Sequence, residues 1–209
     1  MRWRRTSIAI NIQKELFIPI VMAVGVFLCG LILGAITLRT LNPLAEQEMH
    51  QYLAFYIKEA STYSELSISG LKTWGQILKM QAVSLGLLWI FGLTIVGSPL
   101  ILLTVGARGF IVGFTVGFLV QEEAGKGLVL ALAGVLPQNL CYIPAFLGAG
   151  VLSLYFSFTI LRSQEAPYRR LGVYSLLFLV FFLLIIIGSW LEAYLVPGLL
   201  QLITPLFPR

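Results

Sequence analysis

Two adjacent side-chain amides, Gln138 and Asn139, follow Pro137 inside the apolar stretch GVLPQNLCYIPAF, residues 134–146, and Pro144 comes shortly after. A proline within a helix removes one backbone donor and crowds the preceding turn. Carbonyls freed in this way are costly in an apolar medium, so something must satisfy them. Each amide offers two donors and an acceptor. The pair can therefore cap the carbonyls freed at a helix break. It can also hold a solute or ion, as unwound segments do in transporters.

Other chemistry is thinly supplied. The chain has no aspartate and one histidine, His50, and its two cysteines, Cys29 and Cys141, lie in apolar runs. Histidine-cluster metal sites and a Ser-His-Asp triad are excluded. There is no HExxH, GxSxG or P-loop, and Ser84 and Ser98 have no histidine or lysine on an evident common face. No catalytic residue, cofactor or metal is expected. Glu122, Glu123 and Glu192 fall near the outer ends of apolar runs, and no charge is expected near a membrane centre. An intramembrane ionisable group would point to function, so its expected absence favours the capping reading of the amides. For Glu192, between Trp190 and Tyr194, the plain expectation is a solvated acid at the interface.

The elements that must position these residues belong to a membrane protein. Of 209 residues 58% are hydrophobic and 11% charged, with mean hydropathy +0.93. That composition predicts an all-α, polytopic integral membrane protein forming a single membrane domain, with about five transmembrane helices. The net charge of +5 fits orientation in a bilayer and does not call for nucleic acid. Apolar runs place the spans at about 16–38, 83–105, 107–121, 128–161 and 172–190. Pro19 is expected in the first turn of the first span. Gly106-Ala107-Arg108 reads as a tight link. The fourth run is too long for one straight crossing at ~1.5 Å per residue, so a broken or re-entrant helix is expected near Pro137, with a half-helix over 128–136. The last residues, with several prolines, are expected along the interface.

Residues 39–81 differ. Leu44, Met49, Tyr52, Leu53, Tyr56, Ile57 and Ala60 recur at helical spacing, and Leu71, Trp74, Ile77 and Leu78 begin a second amphipathic piece. These faces suit either the bilayer surface or another protein, with Tyr52, Tyr56 and Trp74 as the candidate partner surface. With the N-terminus inside, Arg2, Arg4, Arg5, Lys14, Arg108, Arg162, Arg169 and Arg170 fall in short inner segments. The positive-inside rule then places 39–81 and the C-terminus outside.

Gly109, Gly113 and Gly117 recur every four residues in GFIVGFTVGFLV, and Gly30 and Gly34 form a second pair. Such stripes let helices approach closely. They can pack within the chain, or mediate self-association into a homo-oligomer or docking of a partner's helix.

The combination of GFIVGFTVGFLV, a short polar turn, AGVLPQNLCYIPAF and the final SWLEAYLVP resembles the stage II sporulation protein M family, over essentially the whole chain. Wider relatives carry Pro-His-Gly with a downstream glutamate at the turn; Pro137-Gln138-Asn139 and Ile143-Pro144 resemble the sporulation branch. The resemblance implies a multi-pass protein of the mother-cell or septal membrane during engulfment in endospore formation. It also implies a non-enzymatic scaffold that recruits and localises the peptidoglycan hydrolases, stage II sporulation proteins D and P. It brings no ligand-binding residues. The alternative is a transporter or permease-like component with its site at Pro137–Asn139.

Overall fold

A computed structural model of the chain describes residues 2–40, 69–94, 96–122, 124–160 and 167–203. Tyr52 and Tyr56, and most of the 39–81 segment, lie outside the described residues. All described regular structure is helical: α1 (Arg2–Thr37) with a 3-10 turn at Leu38–Thr40, α2 (Ser69–Gly92), α3 (Gly97–Glu122), α4 (Ala124–Gly134), α5 (Leu136–Ile160) and α6 (Pro167–Trp190), then a π-turn (Leu191–Leu195) and α7 (Val196–Ile203). Helices satisfy their own backbone, which hydrocarbon demands. Large apolar side chains such as Phe17, Leu103 and Leu176 face outward, which suits lipid rather than water. The fold is all-α and the chain is a membrane protein.

Four segments are long and apolar enough to cross a membrane: Glu15–Thr37, Gly97–Gln121, Leu136–Thr159 and Arg170–Ile203. α2 is less apolar because Lys72, Gln76 and Lys79 lie in its first half and Gln81 follows. It is nevertheless the described element that returns the chain across the bundle. α1 and α3 run parallel: a Cβ built on Gly30 meets the Gly106 carbonyl, on Gly34 the Phe110 carbonyl, on Gly109 the Phe27 carbonyl and on Gly113 the Leu31 carbonyl. Both partners advance together, four residues at a step. Two parallel neighbours in one chain require a return between them. α2 supplies it, with Gln81 beside Tyr142 and Leu88 bonded to Ser153. α5 therefore runs with α2, and α6 runs against both, since Tyr174 meets Ser153 while Ser189 meets Tyr142.

Two limits differ from the sequence expectation. The second and third spans do not meet at Gly106-Ala107-Arg108. α3 is continuous through those residues, because Gly106 serves close packing against α1 instead of a turn. The turn falls between α2 and α3, where Leu93 and Thr94 donate back to Ile90 and Phe91 and Gly97 donates to Thr94. Ser157 pins this turn by donating to the Thr94 carbonyl at 2.8 Å and sits 3.0 Å from Ser98. Pro19 is also not in a first turn, since α1 starts at Arg2 and carries it internally.

The main core joins α1, α2, α3, α5 and α6 around Leu88, Ile101, Val105, Ala145, Leu154 and Ile185. A polar knot closes one end of it. Tyr174 donates to the Trp89 carbonyl at 3.0 Å, Ser153 donates to the Leu88 carbonyl at 2.9 Å, and the Tyr174 ring stacks on Phe156. A smaller cluster of Leu119, Leu130, Ala131, Val196 and Leu200 holds α4 and α7 over the other end.

Candidate functional site: a polar cavity beside the helix break

The break comes just before Pro137. α4 ends at Gly134, Val135 is a turn residue, and α5 starts at Leu136, so the turn precedes the expected Pro137-Gln138-Asn139. Pro137 thereby occupies the first turn of α5, where a helical N–H has no intrahelical acceptor to lose. The amides act backward. Gln138 Nε2 donates to the Gly134 carbonyl at 2.6 Å and Asn139 Nδ2 donates to the Val135 carbonyl at 2.8 Å. Pro144 does not belong to the turn. It sits inside a continuous α5 with its ring exposed on the outer face.

Capping spends only part of each amide. The carbonyl bond requires Gln138 to place its NH2 group on Gly134, so its Oε1 must point elsewhere. That oxygen is buried and has no hydrogen-bond partner, and Gln81 Oε1 on α2 is in the same condition. Both residues line a cavity of about 170 Å³ together with Arg108, Thr115, Asn139, Tyr142 and Glu192, with Phe27, Ile111 and Phe146 among its apolar walls. Five elements contribute: α1, α2, α3, α5 and the π-turn after α6.

Arg108 overturns the expectation that no charge lies near the membrane centre. It stands in the middle of the Gly97–Gln121 span rather than in an inner link. Its guanidinium lies over the Phe146 ring, 3.9 Å from the centroid, a cation–π contact that is stronger when desolvated. Its N–H groups have no hydrogen-bond acceptor among the described residues. Glu192 is not a plain solvated boundary acid. The Tyr142 hydroxyl donates to Glu192 Oε2 at 2.7 Å and lies 3.1 Å from Ser189 Oγ. The π-turn is what makes this possible. It adds a residue's rotation at the end of α6 and brings Glu192 to the cavity, and such insertions recur at functional sites.

The other sequence candidates fall elsewhere. Gly109, Gly113 and Gly117 face α1 and the turn after it. Trp74 is half-buried on α2, and its indole Nε1 is buried without a hydrogen-bond partner. Arg108, Gln81 and Tyr142 were missed as site residues. Arg108 was obscured by the flanking glycines, which mimic a link. Gln81 and Tyr142 each carry one polar group in a run with no distinguishing pattern. Among the described residues, no three potential metal ligands come together.

Among curated proteins and among solved structures, none matches this chain. A family profile described as Stage II sporulation protein M matches residues 23–197. The match takes in both glycine stripes, the helix break and every residue of the cavity. The chain is thus a sporulation-related membrane protein and belongs to the stage II sporulation protein M family.

Proposed function

We propose that the protein is a non-enzymatic membrane scaffold that recruits and localises peptidoglycan hydrolases, of the stage II sporulation protein D and P kinds, at the septal membrane during engulfment. The observation that carries this reading is the family match over residues 23–197. The packing of the glycine stripe bears on where such a partner would dock. The glycine stripe is taken up by α1, so neither a partner's helix nor a second copy can use it without displacing α1. The docking surface is better sought in the extracytoplasmic segment ahead of α2, including Tyr52 and Tyr56, and around Trp74. The test is a cross-linked pull-down of the tagged protein from sporulating cells. Hydrolases should co-isolate, and should be lost when residues 41–68 are replaced by a flexible linker while the protein remains in the membrane. Co-isolation of transport subunits in their place would overturn the reading.

A second reading, a permease-like component, gains one specific observation: a cation in the middle of a span, facing a cavity beside a broken helix. It predicts gradient-driven uptake of a solute by vesicles carrying the protein, lost in Asn139→Ala with the fold retained. Absence of uptake with hydrolase recruitment intact would remove it.

A further inference from the structure

The cavity lining brings a cation and several acceptors together. Arg108 contributes a cation whose N–H groups have no acceptor among the described residues. The same lining holds acceptors: the Glu192 carboxylate, of which Tyr142 occupies one oxygen, and the buried, unpartnered Oε1 atoms of Gln81 and Gln138. Both glutamines are at least nine-tenths buried, at 9% and 8% exposure. Each orphaned buried acceptor is costly unless a donor reaches it. Water would answer each atom separately. A molecule with an anion at one end and an N–H-rich cation at the other answers all of them at once. Arg108 and Glu192 would then each gain a hydrogen-bonded partner of opposite charge within the desolvated site.

Size and access agree. At about 170 Å³ the space far exceeds the roughly 10–15 Å³ that admits a single water. Ile111 lines it and is itself 57% exposed among the outward apolar side chains of α3. The rim at that point belongs to the surface that lipid covers.

We propose that this cavity binds a small zwitterion, with its anionic group on Arg108 and its ammonium group among Glu192 Oε1, Gln81 Oε1 and Gln138 Oε1. Two sources share that chemistry: the phosphoethanolamine headgroup of a phospholipid entering beside Ile111, and a free zwitterion such as phosphoethanolamine itself. The site does not depend on hydrolase recruitment.

The full chain is placed in nanodiscs of mixed phosphatidylethanolamine and phosphatidylglycerol and released for native mass spectrometry. Retention of one phosphatidylethanolamine, reduced at least tenfold in Arg108→Gln and in Glu192→Gln, supports the lipid source. If no lipid is retained but free phosphoethanolamine raises the melting temperature of wild type and not of the two variants, the free source is supported. Gln81→Met keeps both charges and removes one acceptor. It should weaken retention or the thermal shift severalfold, and it protects the test should a charge variant fail to fold. Equal retention of phosphatidylglycerol overturns the proposal, because it shows that only an anion is read. Neither retention nor a shift in wild type also overturns it and leaves a hydrated packing cavity.

Discussion

At the scale of single residues, the helix break is stabilised by two amides that donate to carbonyls ahead of them in the chain. Gln138→Leu keeps the volume and removes the donor, so the Gly134 carbonyl is left buried. Stability should fall by about 1–3 kcal/mol, read as an earlier midpoint in a detergent-denaturation titration. Tyr142→Phe isolates a different bond. Its hydroxyl donates to Glu192 Oε2, and hydrogen bonds to charged groups contribute about 1.5–3 kcal/mol. In a double-mutant cycle with Glu192→Gln, the second change should cost much less once the first is made. Additive costs would show that the two side chains act separately. The proline and the amides were legible in the sequence because their chemistry is local. Arg108 was not. An arginine between two glycines reads as a loop, and only the approach of α1 to that backbone shows why the glycines are there.

At the scale of elements, the α1–α3 pair rests on backbone approach. Hydrocarbon offers no hydrophobic drive between helices, so close packing and van der Waals contact must hold them. Gly113→Leu pushes a side chain into the Leu31 backbone and should cost at least the roughly 1–3 kcal/mol typical of overpacking. Gly25 on the same α1 has nothing within 4 Å of its built Cβ, so Gly25→Leu should leave the denaturation midpoint unchanged. Equal loss in both would mean that glycine content, not the interface, matters. The stripe was visible in the sequence through its period of four; its partner was not, because a spacing carries no address. The turn between α2 and α3 was missed for a related reason. Its signal is Gly97-Ser98-Pro99, a small residue and a proline at a helix start, set within uniformly apolar surroundings. The bonds that fix it come from Ser157 on α5.

At the scale of the whole molecule, parallel α1 and α3 fix the sidedness of their ends relative to each other. In a variant with Cys29 and Cys141 replaced by serine, single cysteines at Thr40 and Gln121 should react with a membrane-impermeant thiol reagent from one side, and one at Val96 only from the other. Reaction of all three from one side would mean that α2 does not cross. The sequence gives about five crossings from apolar runs and basic residues. Composition alone supports four, and the register of α1 on α3 restores the return through α2. The cavity belongs to this scale as well. It draws on residues from Phe27 to Glu192, and no local pattern joins them.

The register between α1 and α3 also sets an order of assembly during synthesis. Gly30 meets the backbone at Gly106, so α1 enters the bilayer well before its closest neighbour exists. At about 5–20 residues per second, some seconds pass in which its glycine face has only lipid or the translocation machinery against it. α3 then arrives carrying Arg108 in mid-span, where insertion scales charge about 2.5–3.5 kcal/mol for such a residue. Glu192 follows only after α5 and α6 have been made. A nascent chain halted after α3 holds an unbalanced cation within the bilayer. Such intermediates should be preferred targets for membrane insertion chaperones and quality-control proteases, whereas the completed chain is not.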